Sequence, residues 1–162
     1  MELNYYILLI AALIPLIMGF IWYNPKVFGT AWMNSTGLTE EKMKGANMPL
    51  IFFLSYVFSI LIASVIMQMS IHQFGVLSTL GGSELDESST QYFADFMAKY
   101  GTNFRTFKHG VLHGVLAGFF FAMPVIATNA MFERKGFKNI LINSGYWIVT
   151  LGLMGGVICA YM

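Results

Sequence analysis

The sequence predicts an all-α membrane protein: four transmembrane helices in a bundle, plus a short amphipathic interfacial helix in the middle loop. Three observations carry this. Hydrophobic residues make up 57% of the 162 residues and charged residues only 10%, against roughly 25% charged in soluble domains. Four stretches reach the about 20 apolar residues that a bilayer crossing requires. No Asp or Glu lies inside any of those stretches. The whole chain, 1–162, reads as one transmembrane domain.

The first span runs over about 3–23. It differs from a signal peptide in its acidic Glu2, its long apolar run and its lack of a small-residue cleavage site, so it is expected to be retained. Trp22, Tyr23 and Trp32, with Phe28 between them, predict an aromatic interface belt. Pro25 is expected to stop the helix, because proline donates no hydrogen bond and disfavours a helical residue before it. Thr39 to Gly45 reads as a short helix with acids at its start and lysines at its end.

The second span covers about 49–75, and the outer loop 76–105 follows. In that loop Gly81-Gly82-Ser83 and the acids Glu84, Asp86 and Glu87 form a flexible linker. Ser88 is the expected N-cap, with Gln91 completing a capping box. Tyr92, Phe93, Phe96, Met97 and Tyr100 then recur at helical spacing up to Gly101, the expected C-cap. This helix is expected to lie on the membrane surface or to lid the bundle.

The third span covers about 106–131 and the fourth about 139–162. They should pair as a hairpin around Glu133, Arg134 and Lys135. Gly110, Gly114 and Gly118 repeat every four residues and face small residues on the fourth span. Matching midpoints sets Gly118 beside Gly152, and Gly114 beside Gly155 and Gly156, which favours close van der Waals packing. Asn129 and Asn143 fall at similar depth and are expected to hydrogen-bond across the hairpin. Pro124 is expected to kink the third span and free a carbonyl.

Orientation follows from basic residues in the connections. Lys26, Lys42, Lys44, Arg134, Lys135 and Lys138 lie on one side, against Lys99, Arg105 and Lys108 on the other. This predicts a multi-pass protein of the bacterial inner (plasma) membrane, with loops one and three cytoplasmic and both termini outside. The scattered basic residues give no nucleic-acid patch, and the single Cys159 excludes an internal disulfide framework.

The chain is expected not to be an enzyme. It has no Gly-x-Ser-x-Gly elbow, P-loop or dinucleotide fingerprint, and the His109/His113 pair lacks the glutamate of a zinc protease. No carboxylate inside a span supports a proton-coupled pump. One constellation remains. His109 and His113 are one turn apart on one helix face, and the four-span topology brings His72 and Cys159 to the same leaflet. Imidazole with thiolate suits zinc, copper or haem iron. Interfacial histidines hydrated by water, or used for packing, are the plainer alternative, so no cofactor is assigned and the metal stays unknown.

The run Gly19-Phe20-Ile21-Trp22-Tyr23-Asn24-Pro25 with Phe28-Gly29 and Trp32 is distinctive. So are the His109/His113–glycine stripe with Pro124, and Phe132-Glu133-Arg134 leading to Ile142-Asn143-Ser144-Gly145-Tyr146-Trp147. Together they resemble the small integral-membrane family catalogued as domain of unknown function 1761. The resemblance spans nearly the whole chain and implies a four-helix membrane protein without a known activity.

Three functions follow, in this order. The first is a non-enzymatic membrane protein that self-associates as a homo-oligomer, or joins other membrane-protein subunits in the lipid bilayer, through its small-residue faces. The second is a small oligomeric ion or solute channel or carrier, lined by His113, Asn129, Asn143 and the Pro124 break. The third is a metal- or haem-binding protein using His72, His109 and His113.

Overall fold

The computed structural model describes residues 3–162, apart from the side chains of Glu40 and Met43; Glu2 lies outside the described residues. Every regular element among them is helical: α1 (Tyr6–Ala11), α2 (Ile14–Trp22), α3 (Thr30–Thr36), α4 (Glu40–Met43), α5 (Met48–Ser70), α6 (Gln73–Thr79), α7 (Glu87–Tyr100), α8 (Phe107–Ala117), α9 (Met123–Phe132) and α10 (Phe137–Tyr161). Two π-turns, Pro25–Gly29 and Gly118–Ala122, connect α2 to α3 and α8 to α9. Met48–Ser70, Phe107–Phe132 and Phe137–Tyr161 are each long and apolar enough to cross a membrane. A fourth crossing counts only if Tyr6–Trp22 and Pro25–Thr36, bent by 55°, form one span.

That bend falls at Tyr23–Asn24, where the sequence reading ended the first span before Pro25. At 1.5 Å per residue, Tyr6–Trp22 is about 25 Å long, short of the roughly 30 Å hydrocarbon core. The α-helix does end before Pro25, yet the chain winds on. The Asn24 side chain accepts a hydrogen bond from the Lys26 N–H at 2.9 Å, and the Gly29 N–H donates to the Asn24 carbonyl at 2.9 Å. A Cβ at Gly29 would collide with the Tyr23 carbonyl oxygen, so only glycine closes this turn. The Trp-Tyr-x-Pro-x-x-Phe-Gly element is therefore a folding device: a cap, a proline start and a glycine closure.

The second span also differs. It ends at Ser70, where Ile71 turns extended, and α6 restarts at Gln73. The Ser70 hydroxyl bonds back to the Ile66 carbonyl at 2.8 Å, a local competitor for helix geometry. The cap of α7 is Asp86, not Ser88. Its carboxylate accepts from the Ser89 N–H at 2.6 Å and is held below its ordinary pKa by that bond. Gln91 donates to Asp95 instead of closing a capping box. Gly101 does follow α7 as its C-cap, and α4 forms where the charge pattern placed a short helix.

α10 is the axis of the fold. Tyr146, Thr150, Leu151, Met154, Ile158 and Cys159 are buried along it, and α1, α2, α3, α5, α8 and α9 all pack on it. The closest approach is to α8. A Cβ at Gly110 would collide with the Gly155 carbonyl, one at Gly114 with the Leu151 carbonyl, and one at Gly118 with the Ile148 backbone. Gly152 meets Val115, and Gly156 meets the Phe107 ring. The small-residue contact is real, but its register is about one turn from the midpoint estimate: Gly114 sits at Leu151–Gly152, not at Gly155–Gly156. The π-turn supplies part of the reason, because it fits an extra residue into the third span. Pro124 explains the turn. Its ring and missing N–H disrupt bonding to the carbonyl four residues back, and Gly118–Ala122 absorbs the mismatch without breaking the span.

Gly114→Leu should therefore cost at least about 2 kcal/mol through backbone overpacking. Gly45→Ala, where nothing lies within 4 Å of the new Cβ, should stay within about 0.5 kcal/mol. Unfolding in mixed micelles checks both; equal stability of the two variants would refute the close-packing account.

Candidate functional site

The glycine contact fixes the rotation of α8. Successive helical residues are turned by about 100°, so with Gly110 and Gly114 against α10, the preceding residues His109 and His113 emerge together on the adjoining face. Thr106 starts the helix, its hydroxyl accepting from the His109 N–H at 3.3 Å. The break after α5 then brings His72 to the same place.

The three imidazoles form one cluster. The Nε2 atoms of His72 and His109 lie 2.9 Å apart, one donating and the other accepting according to tautomer. Ring centroids are 4.8 Å apart for His72–His109, 4.9 Å for His72–His113 and 4.5 Å for His109–His113. One ring nitrogen from each lies within 4.8 Å of the others. His72 is exposed, and His109 and His113 are half-buried, so the cluster opens to the surface. No Cys, Asp or Glu joins this group among the described residues.

Cys159, a candidate ligand by sequence, is not a member. It is fully buried, and its single thiol hydrogen lies between two acceptors, the carbonyls of Ser70 (3.4 Å) and Phe104 (3.3 Å). Topology does bring it to the histidine end, but α10 turns it inward. There it ties the α5 terminus to the turn before α8. Arg105 adds a bond from Nε to the Cys159 carbonyl at 3.1 Å.

Two residues that the sequence reading passed over shape the site. Phe104 has φ 62°, a left-handed conformation strained for a bulky side chain. Its ring centroid lies 5.2 Å from that of His109 and 6.3 Å from that of His72. Gln73 is buried, and its amide nitrogen donates to the carbonyls of Tyr100 (3.0 Å) and Asn103 (3.1 Å). It thereby holds the turn that carries Phe104. The only sequence signal was an amide directly after His72 in an apolar stretch.

The opposite end of the bundle holds a polar chain. Asn139, 2% exposed, donates to the Ser35 hydroxyl at 3.1 Å and accepts from Asn143 at 3.0 Å. Asn143 in turn accepts from the Tyr23 hydroxyl at 2.9 Å. The expected Asn129–Asn143 bond is thus replaced: Asn143 is engaged within α10 and with Tyr23, and Asn129 is exposed on the rim of the same cleft. The aromatic belt is likewise turned inward. Trp22 Nε1 donates to the Ile142 carbonyl at 3.0 Å, and the Tyr23 ring packs 5.3 Å from Trp32 and 5.2 Å from Tyr146.

The family model described as "Protein of unknown function (DUF1761)" matches residues 6–159, and the chain belongs to that family. No curated protein and no solved structure matches it.

Asn139→Ala should destabilise the fold by about 1–3 kcal/mol, because it removes a buried amide and strands its half-buried partners Ser35 and Asn143. Asn129→Ala should stay within about 0.5 kcal/mol. Denaturant titration distinguishes them, and a larger loss at Asn129 would contradict the hydrogen-bond assignment.

Proposed function

We propose that this multi-pass membrane protein is a non-enzymatic metal-binding protein, holding one transition-metal ion through His72, His109 and His113. The observation that supports it most is the convergence of three imidazoles from two elements, with one ring nitrogen of each within 4.8 Å of the others. Imidazole suits zinc, copper, iron and nickel, and three histidines with an open fourth position are an established zinc arrangement. Two nitrogens bound tetrahedrally at 2.0–2.1 Å are about 3.3 Å apart. The 2.9 Å separation of His72 and His109 needs only a few tenths of an ångström of opening. Haem fits less well, since two axial imidazoles must stand on opposite faces of a porphyrin.

Self-association through the glycine stripe has less support, because Gly110, Gly114 and Gly118 are filled by α10 of the same chain. The channel reading is weakened in the same way by the engagement of Asn143. Under the orientation that the Lys/Arg bias favours, the histidine end faces outward, where an open, imidazole-only site would meet metal directly.

Zinc or copper titration of protein purified in mild detergent, with elemental analysis, tests the proposal. About one ion per chain is expected, with affinity falling at least about a hundredfold in His113→Ala. Metal at 100 times its Kd should also stabilise the wild type by about 2.7 kcal/mol. Stoichiometry below a tenth, or affinity unchanged in a folded His72→Ala/His113→Ala variant, would overturn it.

A further inference from the structure

A second feature begins at mid-bundle, where Met69 and Ala117 help to line it, runs away from the histidines and concerns lipid. Between α5 and the α9–α10 pair runs an apolar groove of about 470 Å³, lined by Ile62, Val65, Phe121, Val125, Ile126 and Trp147 among others. Its lining contains no polar side chain apart from the indole of Trp147. Val65, Phe121 and Val125 are exposed along it, so it opens on the outside of the bundle, where the surrounding medium is acyl chain.

The groove does not stop in hydrocarbon. Ile126 and Trp147 also line a cleft of about 240 Å³ whose other walls are Asn129, Glu133, Lys135, Asn139 and Asn143, with Ala130. Along α9 the surface therefore changes from wholly apolar at Phe121 to amide and charged at Glu133. Those twelve residues of rise span about 18 Å, close to the roughly 15 Å thickness of one leaflet's hydrocarbon. An apolar slot that opens past Ile126 into a polar cleft, with Phe121 and Glu133 about 18 Å apart, has the polarity of a single phospholipid.

The charges narrow the headgroup. Glu133 and Lys135 form an ion pair at the cleft. A headgroup with a phosphate and an ammonium can exchange that internal pair for two complementary ones, with the exposed Asn129 amide donating a further bond to a phosphate oxygen. A purely anionic headgroup would set its phosphate against the Glu133 carboxylate, and like charges disfavour each other. An uncharged headgroup would gain from neither residue. We infer that the groove between α5 and α9–α10, continued into the Asn129–Glu133–Lys135 cleft, binds one zwitterionic ammonium-bearing phospholipid, with an acyl chain against Phe121 and Val125 and its headgroup at Glu133 and Lys135.

The test is native mass spectrometry of the full chain, released from detergent containing equal amounts of phosphatidylethanolamine, phosphatidylglycerol and diacylglycerol. One phosphatidylethanolamine per chain is expected, retained at least about threefold over the other two. Glu133→Gln/Lys135→Gln should erase that preference while circular dichroism and melting stay unchanged, because both side chains lie at the surface. Val125→Trp, which fills the slot, should lower retention of all three lipids. Equal retention of the three by wild type would mean ordinary boundary lipid and overturn the proposal. So would a preference that survives the Glu133/Lys135 double variant. Disulfide capture of a second copy through Val125→Cys at high yield would assign the groove to a protein interface instead.

Discussion

The close approach of α8 to α10 governs most of what this protein presents to its surroundings. Within a bilayer, water cannot drive helices together, so association rests on packing and hydrogen bonding. Gly110, Gly114 and Gly155 let two backbones meet where any side chain would collide. That contact fixes the rotation of α8 as well as its distance. Because the histidines precede the glycines by one residue, the same contact that buries Gly110 and Gly114 directs His109 and His113 sideways towards His72. Packing and the candidate site are two readings of one helical register.

Around this axis the two ends have been built differently. At the histidine end, irregular backbone does the positioning. The helix breaks after Ser70, Gln73 grips the Tyr100–Asn103 turn, and Phe104 adopts a left-handed conformation beside the imidazoles. Cys159 sits with its single S–H between two backbone carbonyls, which gives a buried thiol a structural role in place of ligation. At the other end a chain of side-chain hydrogen bonds, Tyr23–Asn143–Asn139–Ser35, ties the bent first segment to α10. The inward turn of Trp22 and Tyr23 serves the same purpose. These aromatic residues sit at a helix end, as membrane-interface residues do, but their polar atoms are bound to the protein.

The sequence carried the helical class, three helices long and apolar enough to cross a membrane, and the histidine cluster, because each depends on composition or on spacing along one element. It also identified the small-residue face of α8. What it did not carry depends on irregular backbone. The π-turn at Gly118–Ala122 adds one residue to the third span, which accounts for part of the one-turn difference in the α8–α10 register. The break at Ile71 was hidden inside an apolar run that reads as a longer helix. Asp86 outcompeted Ser88 as a cap because the helix began two residues early. Asn139 was overlooked since a polar residue at the start of a span resembles an interfacial one, yet α3 folds back and buries it. Cys159 was placed at the correct end but on the wrong side of α10, a distinction that only the helix rotation settles.

The central claim is that three imidazoles from two separated elements act as one ligand set. X-ray absorption at the metal edge of zinc-loaded protein addresses it most directly, since it reports ligand identity and distance at the ion itself. Three imidazole nitrogens at about 2.0–2.1 Å with one oxygen ligand are the predicted shell. Sulfur at about 2.3 Å, which would bring Cys159 back as a ligand, or an all-oxygen shell of loosely held ion, would contradict the account.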